Sequence, residues 1–536
     1  MNVKPFLILT LTAGAFRAGA QHAANDTVLK GATIEVLQSY KPQVKQAPKP
    51  EWVPQLPQED TTHPAFTYDV PQQTLYYTYT SQPLRPLALG NDIAPLPFAN
   101  YIKAGGGNLS TLFLDAGIGG ISGSNYETAI HLHHISQKGD IKYQQSSLSG
   151  IEADGTLHND FSDWHAGISA ERNQYYYYGY DNNYADDQIR QTYSTIRLCV
   201  DTKSRDSTVN LNYHPAIIAS LYNARFNASE TNIGFNAPVT YRIDDNLDAQ
   251  VALNADLAQF NTNTTTVNNA IGELLPGLSV HANGFYGHAL LGFALGMGGS
   301  GYLLPDLLAA FTIPNTKFTI SAGWQATLRQ NTYEQLTTEN PYLSNTYSIM
   351  QTRRDEVFGN IQSNIGNHLS FSGRVSYWKY MGLPCYLNDT GKHNEFYIVY
   401  DNVNAISFQL AARYKMANTW SAGISGDFYN FYNGNLPYVW GEPNTKIKGD
   451  FTVLLFSKLT VTAYLAFLDG IYGRDGNNHT VKLDPIADIG GSAEYQVIPR
   501  LSFFVQLDNL LNDRYQRWVG FEGYGINVYG GLRFKF

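Results

Sequence analysis

His131-Leu132-His133-His134 is the densest group of metal-ligating side chains in this 536-residue sequence. On a β-strand alternate side chains share a face, so His131 and His133 point the same way, with Glu127 further along that face. Imidazole with carboxylate is a metal-binding set. Two ligands from one strand do not make a site, and no third is identifiable, so lumen-facing or interfacial polar residues are the simpler reading. A second group is aromatic. Tyr175, Tyr176, Tyr177 and Tyr178, with Tyr180 and Tyr184, have the flat apolar faces that stack on sugar rings. A girdle at a membrane interface is the simpler expectation for them, and for Tyr429, Tyr432, Tyr438 and Trp440. Trp518, Phe521 and Tyr524 are expected to anchor a final hairpin at the same interface. No GxSxG, HExxH, P-loop or paired-cysteine metal motif is present. No residue is therefore assigned a catalytic, metal or cofactor role, and the chain reads as a non-enzyme.

The elements that carry these residues are legible from the last fourteen, GYGINVYGGLRFKF. With a period of two, Tyr524, Ile526, Val528, Gly530, Leu532, Phe534 and Phe536 fall on one face. Gly525, Asn527, Tyr529, Gly531, Arg533 and Lys535 fall on the other. One face is apolar and ends in aromatics, the other is small, polar and cationic. In a soluble sheet this would be an exposed, sticky edge. A closed barrel in a lipid bilayer removes the edge and requires the alternation.

Tyr529-Gly530-x-Leu532-x-Phe534-x-Phe536 resembles the C-terminal insertion signal of outer-membrane β-barrels, which the barrel-assembly machinery reads. Just upstream, Leu507-Asp508-Asn509-Leu510-Leu511-Asn512-Asp513-Arg514-Tyr515 is similar to the NLFNxxY turn before the last strand of TonB-dependent receptors. The resemblance implies a transmembrane barrel in the outer membrane of a Gram-negative cell, engaged in solute uptake or passage. It is incomplete. Such receptors carry a globular, glycine-rich plug ahead of the barrel, and this sequence has instead about eighty proline-rich residues there.

The rest of the chain follows the same grammar. Residues 1–20 read as a secretory signal, with Lys4 at the start, an apolar run, and Ala18-Gly19-Ala20 as a small-x-small cleavage site before Gln21. Residues 21–98 hold eleven of the 23 prolines and read as an extended periplasmic segment. Within it, Thr33-Ile34-Glu35-Val36-Leu37 resembles the short segment through which receptors contact TonB, pairing as an added strand. The segment as a whole is a candidate pore-occluding arm, and a contact for TonB or another periplasmic protein.

From 99 to 536 alternating stretches recur, punctuated by Gly and Asn/Asp. Many have the nine to eleven residues a tilted strand needs to cross a bilayer. The fold class is therefore all-β: a transmembrane antiparallel barrel of roughly 16–20 strands, with short turns on one side and long loops on the other. The apolar run from His288 to Met297 is too short, and too broken by Gly292 and Gly296, to be a spanning helix. A net charge of −9 argues against a nucleic-acid partner. Two cysteines, Cys199 and Cys385, are too few for a disulfide framework, and their pairing stays open. Uptake or passage of a small solute is the preferred function. The alternative is a structural or assembly scaffold anchoring a partner complex.

Overall fold

The computed structural model describes residues 100–123, 125–179, 185–205, 209–345, 349–389, 395–417, 419–475 and 477–536. The expected signal segment 1–20 with its expected cleavage residues Ala18, Ala20 and Gln21, the proline-rich segment 21–98 with Thr33 to Leu37, and Tyr180 and Tyr184 lie outside the described residues.

Twenty-two antiparallel strands close into a barrel, each bonded to its neighbours in chain order. One of them is split into Leu211–Tyr213 and Ala216–Ala224. Both pieces keep one register against Ala228–Arg242, and His214-Pro215 interrupts them because proline offers no N–H to the ladder. The barrel closes where Tyr101–Gly107 pairs with Asn527–Lys535, Tyr101 lying opposite Lys535. Glycines form this seam, with Gly105 opposite Gly531 and Gly106 opposite Gly530. A side chain at Gly531 would collide with the carbonyl oxygen of Ala104, so the first and last strands approach only because none is there.

The strand number exceeds the sixteen to twenty read from the sequence. Six strands escaped that reading: Tyr101–Gly107, Gln145–His158, Thr266–Ala282, Phe285–Leu295, Gly301–Thr312 and Gln351–Ile365. Two of them contain a proline. Leu275 and Pro276 drop out of the ladder with Phe285–Leu295, and the pairing of Gly301–Thr312 with Phe318–Gln330 begins only at Asp306, after Pro305. The missing N–H is tolerated where no partner needs it. Phe285–Leu295 covers most of the apolar run weighed as a helix. Gln351–Ile365 begins inside the polar stretch from Glu334 to Arg354, which lacks the clean alternation of a strand.

Outward side chains form an apolar belt that includes Ile168, Leu198 and Leu221, all about half exposed. On the last strand Leu532 and Phe534 face out, Phe536 just beyond it is exposed too, and Tyr529 is buried. Arg533 lies 3.4 Å from Glu494 on the inner wall, with its guanidinium over the Tyr101 ring. The two faces read from the sequence are thus the two faces of the barrel wall. Short turns such as 283–284, 456–458 and 499–500 share one end with Tyr101 and Lys535. The long connections 177–189, 331–350, 433–444, 470–485 and 509–526 lie at the other. No helix among the described residues is long and apolar enough to cross a membrane.

Candidate functional site at the long-loop end

The longest connection, 331–350, folds into the barrel mouth, and the inner wall is built to receive it. Among its described residues the one regular element is the helix Tyr333–Glu339. Thr332 caps it, accepting a hydrogen bond from the Gln335 amide at 3.2 Å. A wall residue, Glu230, accepts from the amides of Tyr333 (2.6 Å) and Glu334 (3.2 Å). A carboxylate there meets donors that the helix cannot satisfy itself, at the positive end of its dipole. Glu334 pairs in turn with Arg197 and accepts from Ser220 (2.8 Å) and Asn232 (3.2 Å), all on the wall. Tyr333 is fully buried, its ring 5.0 Å from that of Phe260 and 5.9 Å from that of Tyr222.

A second inward element is the hairpin of Gln516–Trp518 and Phe521–Glu522. Trp518 and Phe521 are both buried in the cluster that holds Tyr333, Leu336 and Leu343. Trp518 packs edge-on against Tyr386 and Phe396, and Phe521 stacks on Tyr342. Tyr524 hydrogen-bonds Ser146 at 3.1 Å. The expected interfacial anchors are therefore interior packing residues. The same correction holds for Trp440, 1% exposed, which 433–444 carries into a neighbouring cluster. Tyr438 stacks on Tyr472 at 4.0 Å, loop on loop. An apolar ring in a long, polar-flanked loop has two ways to leave water, lipid or a lumen, and here the lumen takes it.

The tyrosine run is corrected likewise. Tyr176 and Tyr177 are buried, Tyr177 donating to the Leu343 carbonyl at 3.1 Å and Tyr178 to the Glu522 carbonyl at 2.5 Å. Beside them lies a cavity of about 200 Å³, lined by Tyr175, Tyr178, Tyr342 and Tyr524 with Asn173 and Gln145. Burial pushes the hydroxyls of Tyr178, Tyr342 and Tyr524 above their ordinary range, so they stay neutral there. The cavity offers ring faces, hydroxyls and amides, a lining that suits a planar or polyhydroxylated solute.

The helix Tyr333–Glu339 and the hairpin of Gln516–Trp518 and Phe521–Glu522 together cap the barrel mouth, and in this cap Glu339 accepts from the Tyr386 hydroxyl at 3.0 Å. Burial raises its pKa, the nearby Glu442 raises it further, and Arg517 opposes both. Arg517 donates to the Gly441 carbonyl at 2.6 Å. Gly441 has φ +80°, and an added Cβ would sit 2.7 Å from the Trp518 ring, so this position needs glycine twice over.

The stretch that resembles a receptor turn is a staple for the 509–526 connection. Asn509, at φ 50°, donates to the carbonyls of Asp513 and Tyr524, both at 2.7 Å. Its own amide bonds Asp488, which also receives the Tyr515 hydroxyl at 3.1 Å. Asn512, at φ 52°, accepts from the Ile526 amide at 2.8 Å, immediately before the last strand.

On the wall, His131 does face inward, but its carboxylates come from neighbouring strands. Asp115 lies 2.9 Å from Nε2 and Glu152 2.9 Å from Nδ1. Glu127 is not with them; it lies 4.0 Å from His158. The His133 ring lies tilted beside that of His131, their centroids 5.6 Å apart. Cys199 and Cys385 are both free. Among the described residues the one set of three donors close enough to share a metal ion is His165, Cys199 and Asp201. Sequence reasoning considered Cys199 only for disulfide pairing, and passed over His165, Asp201, Glu230 and Glu334. The single local signal was the i, i+2 spacing of Cys199 and Asp201, which puts both on one strand face. Glu230 and Tyr333 are 103 positions apart, and no local pattern joins them.

No protein-family model and no curated protein sequence matches the chain. Solved structures do. The FrpB iron transporter from Neisseria meningitidis (F3-3 variant) superposes with a TM-score of 0.64 at 11% identity, over 81% of this chain and 81% of that one. The pyoverdine outer membrane receptor FpvA from Pseudomonas aeruginosa PAO1 gives 0.62 at 10% identity, over 82% and 78%. The ferric enterobactin receptor PfeA from Pseudomonas aeruginosa gives 0.58 at 11%, over 81% and 80%. At such identities the likeness is one of fold: the chain has the closed barrel architecture of these outer-membrane proteins.

Proposed function

We propose that the chain is an outer-membrane barrel of the TonB-dependent-receptor type, which recognises a solute at its long-loop end and takes it across the outer membrane of a Gram-negative cell. One observation carries this reading. A closed barrel with an apolar belt and a polar inner wall folds its long-loop end inward around a tyrosine-lined cavity. The similar structures are named for iron, pyoverdine and ferric enterobactin, which supports uptake as the general task. The lining of rings and amides favours an organic, ring-bearing solute over a bare ion. A scaffold barrel is not favoured, since anchoring a partner requires no such inward-folded mouth.

In this reading residues 1–20 leave after export, between Ala20 and Gln21. Residues 21–98 act as a proline-rich arm in place of a globular plug, and Thr33 to Leu37 contact TonB or another periplasmic protein. The barrel-assembly machinery reads Tyr529, Gly530, Leu532, Phe534 and Phe536 during insertion. Single-channel conductance in planar bilayers tests the whole. The mature chain is compared with a form lacking 21–98, a form with loop 334–345 shortened, and the double deletion. Uptake through a gated lumen requires a silent mature chain and conductance once arm, loop or both are removed. Silence of all four forms overturns it. Equal conductance of all four reduces the protein to a passive pore.

A further inference from the structure

We propose that His165, Cys199 and Asp201, completed by His214, form a transition-metal site on the inner wall near the short-turn end of the barrel. The site suits Zn²⁺ or an ion of similar softness, and is remote in the fold from the tyrosine-lined cavity. The donor atoms of His165, Cys199 and Asp201 all lie within 4.8 Å of one another. Asp201 already gathers two imidazoles, with His165 Nδ1 at 2.9 Å from one oxygen and His214 Nε2 at 2.9 Å from the other. Tetrahedral coordination at roughly 2.0–2.3 Å places donors some 3.3–3.8 Å apart. Within the triad the His165–Asp201 contact needs to open, and the others to close, by only a fraction of an ångström to about one, whereas His214 meets the triad through Asp201 and has to swing further to reach the same ion.

Three further features fit a metal better than a simple polar network. First, the donor charges add correctly, because a thiolate and a carboxylate with two neutral imidazoles neutralise a dication. Second, sulfur and nitrogen donors favour zinc, cobalt or copper over magnesium and calcium. Third, the remaining ring nitrogen of His165 faces a carboxylate, with Asp154 Oδ1 3.4 Å from Nε2. Ligating histidines are held by such partners, which fix the tautomer and raise the basicity of the ring. Gly167, between them, leaves the space: a Cβ there would lie 2.6 Å from that Asp154 oxygen. The backbone also cooperates. His214 sits in the gap between Leu211–Tyr213 and Ala216–Ala224, where Pro215 has broken the ladder. The wall face carrying Cys199 and Asp201 is opposite the lipid-facing Leu198, so the donors are open to the lumen.

Co²⁺ titration of the full mature protein in detergent tests this, followed by displacement with Zn²⁺. One equivalent should bind with the near-ultraviolet sulfur-to-cobalt band and the intense visible bands of a tetrahedral thiolate site, and Zn²⁺ should bleach both. Cys199→Ser should abolish the sulfur band while Cys385→Ser keeps it. Asp154→Asn should retain the band and weaken Co²⁺ binding by about 10–100-fold. Absence of stoichiometric Co²⁺ binding, or a sulfur band that survives Cys199→Ser or disappears with Cys385→Ser, overturns the assignment. The readout is binding, so it stands or falls independently of whether the barrel conducts a solute.

Discussion

Tyr342 lies face to face with Phe521, their ring centroids 3.6 Å apart and their planes within 18° of parallel. The two residues belong to different connections, 331–350 and 509–526, and their contact ties the inserted helix to the final hairpin. Stacked pairs of this kind contribute about 0.5–1.5 kcal/mol beyond the area they bury. A double-mutant cycle with Tyr342→Ala and Phe521→Ala, read by denaturant unfolding of the loop end, is expected to give a coupling in that range. The double variant should also raise conductance in the form lacking 21–98. A coupling near zero would mean that the two connections are held separately by the wall.

The carboxylate of Glu230 is the wall's hold on the helix Tyr333–Glu339, through the amides of Tyr333 and Glu334. Glu230→Gln keeps the size of the side chain but leaves one oxygen and no charge. Charge-assisted hydrogen bonds are worth roughly 1.5–3 kcal/mol, so the helix should loosen by about that amount while the barrel stays closed. Hydrogen exchange of amides 333–339 should accelerate at least tenfold, with no change in the strands. An equal acceleration in the strands would place Glu230 in barrel stability rather than loop anchoring.

How far the sequence discloses this architecture depends on the range of the interactions. The two faces of the last strand follow from local alternation alone, and Leu532, Phe534 and Arg533 stand where that alternation puts them. Strands with an internal proline, or buried in polar stretches, lose that local signal, which is why Thr266–Ala282 and Gln351–Ile365 were missed. The cap was not legible for a different reason. Trp518, Trp440 and Tyr177 are amphipathic rings in long loops, and such rings suit a membrane interface as well as a lumen. What decides between them is a partner far along the chain: Tyr342 for Phe521, Leu343 for Tyr177, Tyr386 for Trp518. The candidate metal donors are likewise supplied by three neighbouring strands, and only barrel register brings His165 opposite Asp201.

Glu339 makes the cap pH-sensitive. Burial and the neighbouring Glu442 raise its pKa from an ordinary 4.5, against the pull of Arg517 and Lys446, and it keeps the Tyr386 hydroxyl as a donor. In the packed loop the protonated form is favoured relative to a loop exposed to water. The associated stabilisation is complete below the ordinary value and is lost as pH rises through the raised one. Proteolysis of 331–350 should therefore be slowest at acid pH and quicken towards neutrality. Glu339→Gln should flatten that part of the profile and hold the loop closed at neutral pH. An unchanged profile in the variant would assign the dependence to another group.

The outward belt predicts where charge cannot go. Leu198 is 48% exposed at the middle of Arg190–Ser204, on the face opposite Cys199. Arginine at a mid-bilayer, lipid-facing position costs about 2–4 kcal/mol. Leu198→Arg should thus lower the folding stability in lipid vesicles by about 2–4 kcal/mol, whereas Ser169→Arg, one register step away on the inner wall, should be tolerated. Equal penalties would mean that the belt is not in contact with lipid.

Asn509 separates the two roles a receptor-like turn motif can have. At φ 50° it adopts a conformation that glycine accepts readily, and its side chain also binds two carbonyls at 2.7 Å. If backbone shape were the whole requirement, Asn509→Gly would be neutral and Asn509→Ala damaging. The side chain's bonds reach from Asp513 to Tyr524 and so hold both ends of the 509–526 connection together, which shape alone cannot do. Both variants should therefore destabilise the loop end, Asn509→Gly by about 1–3 kcal/mol for the unmet carbonyls and Asn509→Ala by more. Thermal unfolding of the two variants beside the parent decides it. The order parent, Gly, Ala establishes that the motif acts as a hydrogen-bonded staple, and a glycine variant as stable as the parent reduces it to a turn.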